Sequence, residues 1–155
     1  MRAIGTVPKR KWASVSVIAT LTPTGPGPNV ALPGAVDGDA FRTFIRTALV
    51  PTLRPGQIVI CDNLQVHKNA RVRRMIEAVG CQLRFLPRYS PDFNPIELAF
   101  AKLKTHLRRE AARTYDDLID ALASGFDAIT AQDADGFYTA AGFPLARGQP
   151  FCNPL

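Results

Sequence analysis

The chain has 155 residues, 46% hydrophobic and 21% charged, with a formal net charge of +6 and a sequence pI near 9.7. That length suits one domain with its own core, and no apolar run approaches the roughly 18 residues of a membrane span. The start, MRAIGTVPKRK, is basic rather than signal-like, so a cytoplasmic protein without membrane association is expected. Cys61, Cys81 and Cys152 are too few and too scattered for a disulfide framework or a paired-cysteine metal knuckle. The basic balance suits a polyanionic partner, although solubility alone also accounts for it.

In chain order, residues 1–11 read as an irregular basic lead-in. Trp12 to Leu21 alternates, with Ala13, Val15, Val17, Ala19 and Leu21 on one face, which predicts a half-buried strand. Thr22 to Asn29 (TPTGPGPN) is predicted to be a turn, and Val30 to Val36 its partner strand, with Pro33 marking an edge or an end. From Asp37 to Leu53 the period changes: Phe41, Ile45, Ala48 and Leu49 recur at helical spacing behind Asp37 as N-cap, and Pro55-Gly56 closes the segment. Ile58 to Cys61 is a short, wholly apolar run of the kind buried on both faces of a sheet, and Asp62 ends it. Asn69 to Val79 predicts a helix with Val72, Met75, Ile76 and Val79 inward and Gly80 as its stop. With Gln82 to Leu86 as the next strand, the three form a parallel crossover unit.

The loop PRYSPDFNP follows. Asn94 as N-cap, Pro95 at the first helical position and Glu97 at the third make a strong helix start. Ile96, Ala99, Phe100, Leu103 and Leu107 form its apolar stripe, while Ala101, Lys104 and Arg108 fall within about 40° of Glu97 beside it. Thr114 and Thr130 cap two further helices, the first carrying Leu118, Leu122, Phe126 and Ile129, the second ending near Gly142. Residues 144–155 (PLARGQPFCNPL) read as a frayed tail, leaving one domain over 1–143.

Two acids stand out. Asp62 lies at the C-terminal end of a central strand, where open α/β sheets place functional groups, but an Asx-type cap on the exit loop explains it equally well. Glu97 fits a capping box in which it merely reaches back to the N-cap amide. Together they fit better as oxygen ligands of divalent cations, of the kind that stabilise the entering and leaving oxygens of a phosphoryl displacement. His67 and His106 lack a second ligand at zinc spacing. His67 either touches substrate or is simply exposed. Lys68, Arg71, Arg73 and Arg74, then Lys102, Lys104, Arg108 and Arg109, form two basic clusters flanking the acid pair. Such clusters are commonly solvated helix faces, but here they suit phosphate contacts that give affinity without sequence readout.

CDNLQVHKN and FLPRYSPDFNPIELAFAKLK resemble the last two motifs of DDE transposases, in the bacterial insertion-sequence branch related to mariner elements. The resemblance runs from about Trp12 to Phe143, with 34 residues between Asp62 and Glu97. It implies an RNase H-like fold, a mixed α/β sheet flanked by helices, with Asp62 and Glu97 as the second and third catalytic metal ligands. It also implies Mg2+ or Mn2+ as cofactor and DNA, as transposon ends and target, as substrate. From the position of His67 and the two basic clusters, His67, Lys68, Arg71, Lys102, Lys104 and Arg108 are expected to contact DNA. The family's first Asp belongs to a strand upstream of the segment equivalent to 1–11, and Asp37 and Asp39 lie at a helix start where neither replaces it.

The chain is accordingly expected to be the later part of a catalytic domain whose first, central strand is missing. It is expected not to cleave DNA alone, to have a weakened sheet, and to act with an upstream transposase fragment or full-length transposase, homo-oligomeric when complete. The missing strand should leave either a gap or direct pairing of the Trp12 and Ile58 strands. The alternative is a non-catalytic basic DNA-binding or regulatory remnant that associates with full-length transposase.

Overall fold

The computed structural model describes residues 2–3, 14–62, 69–143 and 153–154. A hairpin of β2 (Val15–Thr22) and β3 (Gly25–Pro33) is flanked on the β2 side by the two-residue β1 (Arg2–Ala3), antiparallel to it. A second three-stranded sheet has the order β5-β4-β6, with β4 (Ile58–Cys61) parallel both to β5 (Gln82–Phe85) and to the two-residue β6 (Asn153–Pro154).

The predicted turn contracts to Pro23-Thr24, because the Pro- and Gly-rich segment pairs from Gly25 onward. Proline lacks the ladder N–H, but β3 is the outer strand of its sheet and exposes one backbone edge. The register also slips there: Ala19 faces Asn29 and Leu21 faces Pro26, so β3 carries one extra residue as a bulge. Strand β2 is not half-buried as expected. Ser16, Ile18 and Thr20 are as enclosed as Val15, Val17 and Leu21, because both faces of the strand are covered. Trp12 and Ala13, predicted to begin this strand, lie outside the described residues.

The predicted helix over Asp37–Leu53 divides into α1 (Gly38–Phe44), a π turn (Ile45–Leu49) and a 3₁₀ turn (Val50–Thr52). Pro51 is the cause: without an N–H, and with its ring against the preceding turn, it cannot continue an α-helix. Asp37 caps α1 as predicted, accepting from the Ala40 amide at 2.8 Å. The remaining helices are α2 (Ala70–Ala78, capped by Asn69), α3 (Pro95–Glu110), α4 (Tyr115–Asp127) and α5 (Ala131–Ala140), the last two with complete capping boxes at Thr114 and Thr130.

Two apolar clusters lie on opposite faces. Val15, Val17, Ala19 and Leu21 of β2 pack with Ile96, Phe100 and Leu103 of α3, Leu122 and Phe126 of α4, and Tyr138 of α5. Tyr138 Oη donates to the Leu21 carbonyl at 2.8 Å, pinning α5 to the end of β2. On the other face Ile18 joins Phe41, Phe44, Ile45 and Leu49, Val59 and Cys61 of β4, and Val72 and Ile76 of α2. The β4–α2–β5 crossover is as predicted. Among the described residues β2 and β4 form no ladder with each other; their facing edges carry the short β1 and β6 instead. Of the segment predicted to fray, only Asn153–Pro154 lies within the described residues, and it pairs with β4.

Candidate metal and nucleic-acid site

Because β4 and β5 are parallel, both end on the same side of their sheet, and the Leu86 amide donates to the Cys61 carbonyl at 2.9 Å, holding the two exits together. Asp62 is the first residue beyond β4, and its side chain is partly enclosed. Next to it the Cys61 thiol is pushed far above its ordinary range, first by complete burial and then by the Asp62 charge. Cys61 is therefore a protonated, inert core residue.

From β5 the chain passes through a 3₁₀ turn (Pro91–Phe93) directly into α3, which places Glu97, third in that helix, on a segment leaving the same end of the sheet. Asn94 is 2% exposed and accepts from the Ile96 amide at 3.3 Å, a bond to the second helical residue. In α4 and α5, by contrast, the Thr caps bond the third residue and receive its carboxylate in return. Asn94 Nδ2 is buried without a hydrogen-bond partner among the described residues. The positive end of the 16-residue α3 dipole favours negative charge at this position. Around it Tyr89, Phe93 and Leu98 are exposed, and Tyr89 is held at φ 57 with its ring in solvent.

The basic residues divide. His67 and Lys68 lie outside the described residues. Lys104 and Arg108 follow Glu97 down α3, about 10 and 16 Å along its axis. Lys102 is turned about 140° from Glu97 around the helix and instead donates to Asp133 of α5. Arg73 is held by the Leu83 carbonyl at 3.3 Å, by Glu77 at 3.6 Å and over the Phe85 ring at 5.7 Å, so it braces α2 against β5. His106 Nε2 bonds Ser124 Oγ at 2.8 Å, linking α3 to α4. Arg71 lines a cavity of about 290 Å³ together with Arg42 and Arg46, neither of which was singled out from the sequence. Their spacing of four on one helix was the available signal.

Hard carboxylate oxygens suit Mg2+ or Mn2+. The described residues contain no cluster of three or more His, Cys, Asp or Glu able to hold a metal ion, so Asp62 and Glu97 match the donor type but not a complete ligand set.

The fold is similar to solved structures of the Mos1 mariner transposase. Its catalytic domain superposes with a TM-score of 0.71 at 18% identity, over 92% of this chain and 74% of that one. The transposase in a pre-cleavage Mos1 transpososome gives 0.73 at 18% identity, over 92% of this chain and 46% of that chain, so this chain spans about half its length. The Mos1 catalytic domain with raltegravir and Mn gives 0.68 at 18% identity, over 84% and 72%. Among curated proteins nothing matches by sequence. At this identity the likeness speaks to fold, that of the RNase H-like catalytic domain. The model of the family described as DDE superfamily endonuclease matches residues 2–119, most of the chain, and the protein therefore belongs to the DDE superfamily of endonucleases.

Proposed function

We propose that this chain carries two of the acidic ligands, Asp62 and Glu97, of a metal-dependent DNA strand cleavage and strand transfer site acting in transposition. The observation that carries the reading is the common origin of the two carboxylates: one ends a buried strand, the other opens the helix reached from the neighbouring parallel strand. Divalent ions at such a site supply charge stabilisation for the entering and leaving oxygens of an in-line displacement. The chain's own part is to fix the two carboxylates on rigid elements and to hold DNA phosphates through Arg71, Lys104 and Arg108, with His67 and Lys68 on the connecting loop. Lys102 serves α5 docking first. DNA, as transposon ends and target, is the proposed substrate, and the working form is a homo-oligomer.

Two carboxylates hold a pair of metal ions poorly, so cleavage needs a third acid beyond those described. The purified chain is expected to bind Mn2+ weakly, with binding reduced roughly tenfold by Asp62→Asn or Glu97→Gln, and not to nick terminal-repeat DNA. Supplying the upstream transposase segment is expected to restore nicking, and either substitution to abolish it. Nicking by the chain alone, or nicking that survives Asp62→Asn, would sink the assignment. The absence of a three-acid cluster among the described residues also suits a second reading, a DNA-binding remnant that restrains full-length transposase. Salt-sensitive DNA binding with no restorable cleavage would select it.

A further inference from the structure

The cavity between α1 with its π continuation and α2 is lined by Asp39, Arg42, Thr43, Arg46, Arg71 and Met75. Three arginines from two separate helical segments thus line one cavity of about 290 Å³. Asp39 is the single carboxylate in that lining, and it is already paired with Arg42. Among the described residues no carboxylate pairs with Arg46 or Arg71. Like charges gathered around one concavity repel, and a helix pair packed for stability alone gains nothing from that.

We propose that this cavity binds consecutive phosphates of a DNA backbone, as a contact site separate from the carboxylate pair; this rests on DNA being the chain's substrate. Guanidinium groups match phosphate oxygens with paired N–H donors. Arg42 and Arg46, four residues apart, share one face of their helix, and Arg71 comes from the first turn of α2 opposite them. The Thr43 hydroxyl adds a neutral donor, and Met75 an apolar floor for sugar carbons. Helix α2 follows β4 and Asp62 in the chain, so Arg71 in its first turn is the member of this site nearest in sequence to Asp62. The α1 and α2 layer lies on the opposite face of β2 from α3, so this site is separate from Lys104 and Arg108 of α3.

The test is duplex binding by the whole chain, measured by fluorescence anisotropy across a salt series, without divalent metal. Each phosphate contact contributes about 0.9 to the slope of log affinity against log salt. The triple variant Arg42→Gln, Arg46→Gln, Arg71→Gln, shown folded by circular dichroism, is expected to lose about 2 to 3 from that slope and 10- to 100-fold in affinity near 0.1 M salt. Asp39→Asn, at an exposed position, is expected to bind several-fold tighter by removing the opposing charge. Arg113→Gln, beyond the far end of α3, is expected to change neither. An unchanged slope in the folded triple variant overturns the proposal, as does an equal loss from Arg113→Gln or unchanged binding in Asp39→Asn. DNA binding that ignores these arginines while Asp62 and Glu97 still govern cleavage removes this site alone, whereas a chain that binds no DNA removes the functional reading with it.

Discussion

At the scale of single residues, Asp133 shows how a charge that resembles surface decoration becomes structural. Its carboxylate accepts from Lys102 of α3 and from the Thr130 amide at 2.9 Å, while its own amide donates to Thr130 Oγ1 at 3.1 Å. The hydrogen bond from Lys102, followed by that from the Thr130 amide, holds its pKa below the usual carboxylate range. A lowered folded-state value means that the stabilisation is present above the unfolded carboxylate value, about 4, and is lost as pH falls through the folded one. Asp133→Ala is expected to destabilise the fold by about 1 kcal/mol at pH 7, in the range of a lost helix cap. Urea titrations of parent and variant at pH 7 and pH 3 check this. The difference should shrink at pH 3, and an equal difference at both pH values would show that the charge plays no part. Only half of this arrangement is local: Thr130 and Asp133 have capping-box spacing, but the arrival of Lys102 depends on how α3 crosses α5.

At the scale of elements, the crossover from Ile58 to Phe85 and helices α2 to α5 follow from local pattern, because caps and periodicity there agree with the tertiary context. Strand β3 is the exception. Gly25, Pro26, Gly27 and Pro28 read as a turn, since nothing local reveals that this strand lies at a sheet edge and bulges. At Gly27 the lack of a side chain is required, because a Cβ there would lie 2.4 Å from Thr20 Oγ1, which donates to the Pro28 carbonyl at 2.9 Å. Gly27→Ala is therefore expected to cost about 1–3 kcal/mol, as overpacking does. Adding Thr20→Ala should recover part of that loss, since the clashing oxygen goes with it. Thermal melts of the three variants decide; strictly additive losses would show that the close approach is not the cause.

For the whole molecule, the consequence is strand pairing in two separate halves, β1-β2-β3 and β5-β4-β6, with no strand in common among the described residues. Among the described residues β4 pairs on the hairpin side only with Asn153–Pro154, one of which is a proline without an N–H to offer, whereas β5 matches it along all four residues. Cohesion between the halves rests on packing, and Ile18, 2% exposed, is where β2 enters the cluster formed by β4, α1 and α2. Ile18→Ala is expected to cost about 2–5 kcal/mol. In a molecule so joined that is a large part of the total, so the urea midpoint followed by circular dichroism should fall sharply. A midpoint within experimental error of the parent would show that the halves are held by something else.

The sequence by itself determined which elements carry the two candidate acids. Asp62 behind an apolar run and Glu97 behind Asn94-Pro95 are consequences of local hydrophobicity and capping, which act over a few residues. Tertiary structure alone decided which cations face one another. Arg71 met Arg42 and Arg46 while Arg73 and Lys102 turned to Leu83 and Asp133, because helix packing sets the direction of a side chain in space and sequence spacing sets it only around its own axis. The same reason explains β2, whose alternating pattern promised one buried face: a second layer of helices, invisible from within the strand, covered the other.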